Sequence, residues 1–367
     1  KENAYAQYAL GKFYLNEETE YYNLDLAIGY LQKAAEQNNM YAQYMLGKLF
    51  LNKAIQYYDP DLAVEYLKKS TEQDCEYAQY ALGKLFFDKE EKFYDPEEGI
   101  MYLKKAAEMD NVYALCMLGK IHGDKNTEYY DPEQGHQYLL RAIEKDSENE
   151  YVQYLLGKFY LNRDTEYYNV DLAEEYLRKS ADQDCEYAKL SLGKLYLDKE
   201  EKYYRPKLAE KYLLSALEKG NQSAQYLLGK TYLDNESELY NPQMGLRYMF
   251  ELSEKGNQYA QIKLGLEYIK GVHVPRDVSA GCELLTKAQE QGNPVASCIL
   301  DNIHRNEMFF HGKQAVKTLV KDMKRMNTYM SYKIDKALRV LKDSMDQEHE
   351  KARRQNQYEY DQLMNLE

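Results

Sequence analysis

Tyr41-Ala42-Gln43-Tyr44-Met45-Leu46-Gly47-Lys48 and, 36 residues later, Tyr77-Ala78-Gln79-Tyr80-Ala81-Leu82-Gly83-Lys84 are one phrase with a single change. Its Leu-Gly pair recurs with glycine at Gly11, Gly47, Gly83, Gly119, Gly157, Gly193, Gly229 and Gly265, at intervals of 36 residues except for one of 38. A fixed period of this length is the mark of a stacked repeat array. The two additional residues fall in Asp146-Ser147-Glu148-Asn149, a polar link between repeats where a loop lengthens cheaply.

Around each glycine, apolar residues fall at helical spacing, as in Ala42, Leu46 and Phe50, and predict a first helix, A. A glycine inside a helix costs roughly 0.8–1 kcal/mol relative to alanine, so its recurrence calls for a steric reason, close approach of a second helix. Helix B starts at Asp59-Pro60, Asp95-Pro96, Asp131-Pro132 and Asn241-Pro242, a capping acceptor followed by proline at the first helical position. Asp95-Pro96-Glu97-Glu98 reads as a capping box. A small residue four places after each cap, such as Ala63 or Gly99, and a larger knob one turn on, such as Leu67 or Leu103, complete the contact face. One such hairpin is marginal alone, so the repeats must stack.

The eighth repeat reads Ala260-Gln261-Ile262-Lys263-Leu264-Gly265, then Tyr268, Gly271, Val274-Pro275-Arg276-Asp277 and Lys287-Ala288-Gln289-Glu290-Gln291-Gly292. This resembles the Sel1-like repeat, a relative of the tetratricopeptide repeat, with the pattern AxxxLGxxYxxGxGVxxDxxxA and a KAAEQG-type end to helix B. The resemblance covers residues 1 to about 300 and implies an all-α, right-handed α-solenoid of about eight two-helix repeats. It further implies an adaptor that brings other proteins together. A second resemblance is to the repeat-bearing C-terminal regions of bacterial mobilisation relaxases, which run AQYxLGKxYL-type repeats into a basic helical tail. It implies the alternative of an accessory region of a larger enzyme whose catalytic domain lies upstream. The chain starts at Lys1, inside a repeat helix, so we expect a longer protein with an upstream domain.

Repeats one to seven depart from the family pattern in the interhelical loop, where Asn16-Glu17-Glu18-Thr19-Glu20-Tyr21-Tyr22 and its equivalents replace the glycine pair. The paired aromatic recurs as Tyr57-Tyr58, Phe93-Tyr94, Tyr129-Tyr130, Tyr167-Tyr168 and Tyr203-Tyr204. Two readings stand: rings that close the hairpin and pack on the next repeat, or an exposed aromatic ridge.

In tetratricopeptide-like stacks the A helices line a concave groove. Six residues before the glycine stand Tyr5, Tyr41, Tyr77, Tyr113, Tyr151, Tyr187 and Tyr259; three before stand Tyr8, Tyr44, Tyr80, Tyr154 and Tyr226. One after stand Lys12, Lys48, Lys84, Lys120, Lys158, Lys194 and Lys230. Offsets of i, i+3 and i+7 place all three on one helical stripe. Five after the glycine, Asn16, Asn52, Asp88, Asp124, Asn162, Asp198 and Asp234 are placed to meet the preceding lysine. The stripe is either inter-repeat packing with mutually neutralised charges, or a groove that grips an extended peptide by its carbonyls and acidic side chains.

The totals bound the partner. The chain has 367 residues, 40 tyrosines and no tryptophan, and its formal net charge is −13. Counting Lys, Arg, Asp and Glu gives −16 for residues 1–311, +6 for 312–354 and −3 for 355–367. Acidic repeats argue against nucleic acid as their partner, and the mixed-charge tail gives it only weak support. No apolar run reaches a membrane-spanning length and the first residues form no signal-peptide core, so a protein or peptide partner, no membrane and a monomeric chain are expected. The five cysteines, at 75, 116, 185, 282 and 298, show no CxxC and no regular pairing; reduced thiols and a cytoplasmic location are expected.

No catalytic residue, cofactor or metal is expected. Gly229-Lys230-Thr231 ends like a P-loop, but Ala224 stands where its first glycine belongs. His122, His136, His273, His304, His311 and His349 share no metal-ligand spacing. Asn293-Pro294-Val295-Ala296 through Leu300 looks like a ninth A helix that stops at Asp301. Beyond a boundary at 311/312, residues 313–327 and 330–354 read as helices, one capping the array and the other a cap, a loose charged helix or a partner helix.

Overall fold

In a computed structural model the described residues are 3–200 and 202–308, and every regular element among them is an α-helix. The chain divides into two compact units, Lys1–Leu195 and Tyr196–Glu367. The first holds α1 (Ala4–Tyr14), α2 (Leu24–Glu36), α3 (Met40–Phe50), α4 (Pro60–Thr71), α5 (Glu76–Phe87), α6 (Pro96–Glu108), α7 (Val112–Gly123), α8 (Pro132–Lys145), α9 (Glu150–Tyr160) and α10 (Val170–Asp182). The boundary falls inside α11 (Glu186–Leu197). The second unit continues through α12 (Pro206–Glu218), α13 (Gln222–Tyr232), α14 (Pro242–Glu254), α15 (Gln258–Lys270), α16 (Val278–Glu290) and α17 (Pro294–Met308). Odd-numbered helices through α15 are the A helices and their even-numbered successors the B helices.

Each hairpin closes in one way. The backbone N–H of the helix-B cap donates to the carbonyl of the last A-helix turn at 2.8–2.9 Å, from Asn23 to Tyr14, Asp59 to Phe50, Asp95 to Phe86 and on to Asp277 to Tyr268. The cap side chain meanwhile accepts from the helix: Asp59 Oδ1 from Leu62 N and Asp95 Oδ1 from Glu98 N, both at 3.0 Å. The expected capping box at Asp95 is therefore half formed, because the Asp95 N–H that Glu98 would satisfy is already committed to Phe86.

The links from B to the next A are equally regular. Asn38, Asp74, Asp110 and Asp184, with Gly220, Gly256 and Gly292 in later repeats, take positive φ of 58–85°. The following N–H then bonds five residues back, Asn39 to Ala34 and Asn257 to Leu252 among them, which is a Schellman link. The insertion at Asp146–Asn149 has no such residue. Asp146 N–H closes α8 on Ala142 instead, and the Asn149 side chain starts α9.

The repeated glycine has the steric reason its position implies. A Cβ on Gly47, Gly83 or Gly119 would lie 2.5–2.6 Å from the Cγ of Leu67, Leu103 or Leu139. Between hairpins the core is formed by helix B of one repeat and the A helices beside it, as in Leu67, Cys75, Ala78, Leu82 and Phe86 in the first unit. Leu285, Ala288, Ala296 and Leu300 play this part in the second.

The α17 helix does not stop at Asp301: it runs to Met308, with Asp301 exposed. Aspartate costs a helix only a fraction of a kcal/mol, so losing the repeat glycine does not end the helix. The expected 311/312 boundary, the helices at 313–327 and 330–354, His311, His349 and the basic tail lie outside the described residues.

Candidate partner-binding surface

Within the first unit the tyrosine rows meet across repeats. Tyr8 packs on Tyr41 with ring centroids 6.0 Å apart, Tyr44 on Tyr77 at 5.8 Å, Tyr80 on Tyr113 at 5.8 Å and Tyr154 on Tyr187 at 5.8 Å. In the second unit Tyr226 and Tyr259 repeat the contact at 6.0 Å. The row three before the glycine is thus a shelf on which the next repeat's ring rests. The resting rings stay open: Tyr5 is 68% exposed, Tyr41 39%, Tyr77 41% and Tyr113 36%. Further along, Tyr151 is half-buried, while Tyr154 and Tyr187 are buried.

Burial, the Cys75 thiol and the neighbouring Tyr77 and Tyr113 push the Tyr44 phenol up to about 12, so it stays a hydrogen-bond donor at any physiological pH. Lys48, Lys84, Lys120, Lys158 and Lys194 are half-buried beside these rings. Burial first, and the positive charge of Lys84 second, bring the Lys48 ammonium down to about 8. Burial and then Lys263, two residues before Gly265, lower Lys230 against the opposing charge of Asp234. Lys48 and Lys84, one repeat apart, are thus close enough for their charges to act on each other.

The Asn/Asp row turns the chain as well as standing beside the lysines, where the Asp234 charge acts on Lys230. Asn52 Oδ1 accepts from Ala54 N at 2.9 Å, Asp88 from Glu90 N at 3.0 Å, Asp124 from Asn126 N at 2.9 Å and Asp198 from Glu200 N at 3.0 Å. Asn16, Asn162 and Asp234 do the same. These side chains build the turn that leaves helix A, through the preference of Asx residues for a backbone N–H two residues on.

Two further periodic contacts escaped the sequence reading. The residue three after the glycine packs on a helix-B tyrosine: Tyr14 on Tyr30 at 5.7 Å, Phe50 on Tyr66 at 5.8 Å, Phe86 on Tyr102 at 5.9 Å and Tyr160 on Tyr176 at 6.0 Å. His122 holds this place in the fourth repeat and stacks on Tyr138 at 5.7 Å. The helix-A glutamine four before the glycine is clamped by a glutamine 30 residues on: Gln37 donates to Gln7 at 2.6 Å, Gln73 to Gln43 at 2.7 Å, Gln183 to Gln153 and Gln291 to Gln261 at 2.9 Å. Comparing repeats at positions 19 and 26 after the glycine would have found both.

The other singled-out residues are structural. Gly229-Lys230-Thr231 lies inside α13, where Thr231 donates to the Leu227 carbonyl at 2.8 Å. His136, which burial holds below the ordinary imidazole range, shares a 2.8 Å hydrogen bond with Tyr160 Oη. Cys75 is a buried free thiol at the α5 cap, where Asn39 and Asn111 cap α3 and α7. Among the described residues no group of three or more His, Cys, Asp or Glu side chains is placed to hold a metal ion, and no helix is long and apolar enough to cross a membrane.

A family model described as Sel1 repeat matches residues 4–39, 41–75, 76–111, 112–147, 151–185, 222–257 and 258–293. A protective antigen of uropathogenic Escherichia coli displaying an SLR fold is similar at TM-score 0.60 and 26% identity, over 82% of this chain and 64% of its own length. A Sel1 repeat protein from Oxalobacter formigenes gives TM-score 0.56 at 24% identity, over 82% of this chain and 86% of that one. Yeast Tom70 gives 0.51 at 15% identity, over 88% and 68%. The last two likenesses are of fold. Among curated proteins none matches this chain.

Proposed function

Because the chain belongs to the Sel1 repeat family, we propose that it is a protein-interaction scaffold whose A-helix face grips an extended, acidic peptide segment of a partner. The observation that carries the reading is the exposed row Tyr41, Tyr77 and Tyr113, one ring per repeat at a single helical position, each ring held from behind by the preceding repeat. Rings fixed in this way lose little conformational freedom on binding and offer an apolar face with a hydroxyl, the combination that favours tyrosine at interfaces. The lysine row supplies the charge preference, since a carboxylate seated between Lys48 and Lys84 offsets the burial, and then the Lys84 charge, that lower Lys48. Stacked helices lie about 8–10 Å apart and an extended chain rises about 3.3 Å per residue, so one peptide residue in three meets each rung.

The test is binding of the full chain to a fluorescent peptide of about twelve residues with glutamate at every third position. Lys84→Glu combined with Lys120→Glu is expected to weaken binding at least about tenfold, with an unchanged helical circular-dichroism spectrum. Undiminished binding by the folded double variant removes the reading.

A further inference from the structure

The interhelical loops of residues 1–195 carry a second periodic surface, built on different residues. The second ring of each aromatic pair is open to solvent: Tyr22 is 41% exposed, Tyr58 39%, Tyr94 42% and Tyr130 36%. Three residues after each, on the first turn of helix B, stands an exposed carboxylate, in turn Asp25, Asp61, Glu97 and Glu133. The first ring of the pair comes from the following repeat and lies beside that carboxylate, as where the Tyr57 hydroxyl donates to Asp25. Every step therefore joins aromatic faces to negative charge.

At one step within residues 1–195 the chain fills this seam with a cation of its own. Lys92 Nζ donates to both carboxylate oxygens of Asp61 at 2.6 Å and stands 5.0 Å from the centroid of the Phe93 ring. At the next two steps the residue corresponding to Lys92 is Glu128, then Glu166. The seam gains negative charge there in place of an ammonium. Its effect is visible on the neighbouring phenols: desolvation, then Glu97, Glu128, Tyr94 and Asp95 raise Tyr129, and desolvation, then Glu166, Glu133 and Asp131 raise Tyr167.

We propose that the Tyr94/Glu97 and Tyr130/Glu133 steps form a second docking surface, for a lysine-rich segment of a partner protein. Each incoming ammonium takes the place at its step that Lys92 takes between Asp61 and Phe93, held by Glu97 or Glu133 on one side and by the ring that corresponds to Phe93, Tyr129 or Tyr167, on the other, with Tyr94 and Tyr130 open beside it. With helices about 8–10 Å apart, lysines three residues apart in an extended segment reach consecutive steps. The two surfaces then select oppositely charged segments, one on the A helices and the other on the loops.

The experiment titrates the full chain with a labelled peptide of about twelve residues bearing lysine at every third position among serine and glycine, and with its glutamate counterpart. The lysine peptide is expected to bind Glu97→Lys/Glu133→Lys at least about tenfold more weakly, and Tyr129→Leu/Tyr167→Leu, which keeps an apolar side chain but removes the ring face, about fivefold more weakly. Lys84→Glu/Lys120→Glu should bind it undiminished, which separates this surface from the A-helix reading. All six positions lie outside the buried core, and circular dichroism checks each variant's helicity. Full binding of the lysine peptide by either loop variant overturns the proposal, the tyrosine case by reducing the attraction to the charge of an acidic protein. Self-association of the chain that the loop variants abolish also overturns it, by assigning the seam to a second copy.

Discussion

Gln79 shows how a single side chain can break a periodic rule. In four repeats the glutamine ending helix B clamps its partner in helix A, and in the third repeat Met109 stands there, 41% exposed. Gln79 Oε1 is left buried without a hydrogen-bond partner. A buried acceptor of this kind costs about 1–3 kcal/mol, whereas a made hydrogen bond contributes about 1 kcal/mol. Met109→Gln is therefore expected to stabilise the protein by about 1 kcal/mol, read as a higher urea midpoint at unchanged slope. Glycine gives the complementary case. A Cβ on Gly83 would meet Leu103 Cγ at 2.6 Å and the Leu103 backbone nitrogen at 2.9 Å, whereas one on Gly29 would meet nothing within 4 Å. Gly83→Ala should cost about 2 kcal/mol through forced separation of α5 and α6, and Gly29→Ala should gain about 0.8 kcal/mol from helix propensity. Paired denaturation curves check the opposite signs.

At the scale of elements, α15 and the loop after it form the one connection that follows the family's glycine pattern. Gly271 takes the left-handed conformation at the end of α15, where a Cβ would lie 2.6 Å from that of Arg276. The same turn brings His273 Nδ1 to 2.8 Å from Glu267 Oε2, with Lys263 Nζ at 2.8 Å from Glu267 Oε1. The Glu267 side chain is only 4% exposed. Burial pushes its carboxyl up, but the hydrogen bonds and charges of Lys263 and His273 outweigh it and hold the group below its ordinary value. A carboxylate lowered in the folded state adds stability above the unfolded value of about 4.3, and that stability is lost as the pH falls towards and through the lower folded value. Glu267→Gln should remove this contribution, so its unfolding midpoint falls less than that of the wild type as the pH is lowered from about 5 to about 3. Parallel acid limbs for the two proteins would place the dependence elsewhere. Among elements, the hairpins were legible and the loops were not. Glycine, proline and cap residues act within a few positions of themselves, whereas the Asn/Asp row, placed by helical spacing to meet lysine, gave no sign that it also turns the loop. Both uses lie within reach of one short side chain: Asp234 accepts from Glu236 N and its charge also acts on Lys230.

For the whole molecule, the sequence by itself determined the repeat period, the two-helix unit, the close approach of helix B at each repeat glycine, and the family, because each depends on residue identity at a fixed offset along one chain. It also placed tyrosine and lysine on one stripe, since helical periodicity settles which residues share a face. Tertiary structure decided what the stripe's members became. Tyr8, Tyr44 and Tyr80 became a shelf, Tyr41, Tyr77 and Tyr113 the open rings upon it, and Tyr154 and Tyr187 buried packing, although the residue type is the same throughout. It likewise turned one ring of each loop pair towards the neighbouring repeat and left Tyr58 and Tyr94 open. The division of the chain between Leu195 and Tyr196 falls inside a regular repeat, with no break in the period to announce it. Exposure and contact between repeats depend on how one hairpin is set against the next. Local periodicity carries no information about that distance, and packing alone fixes it.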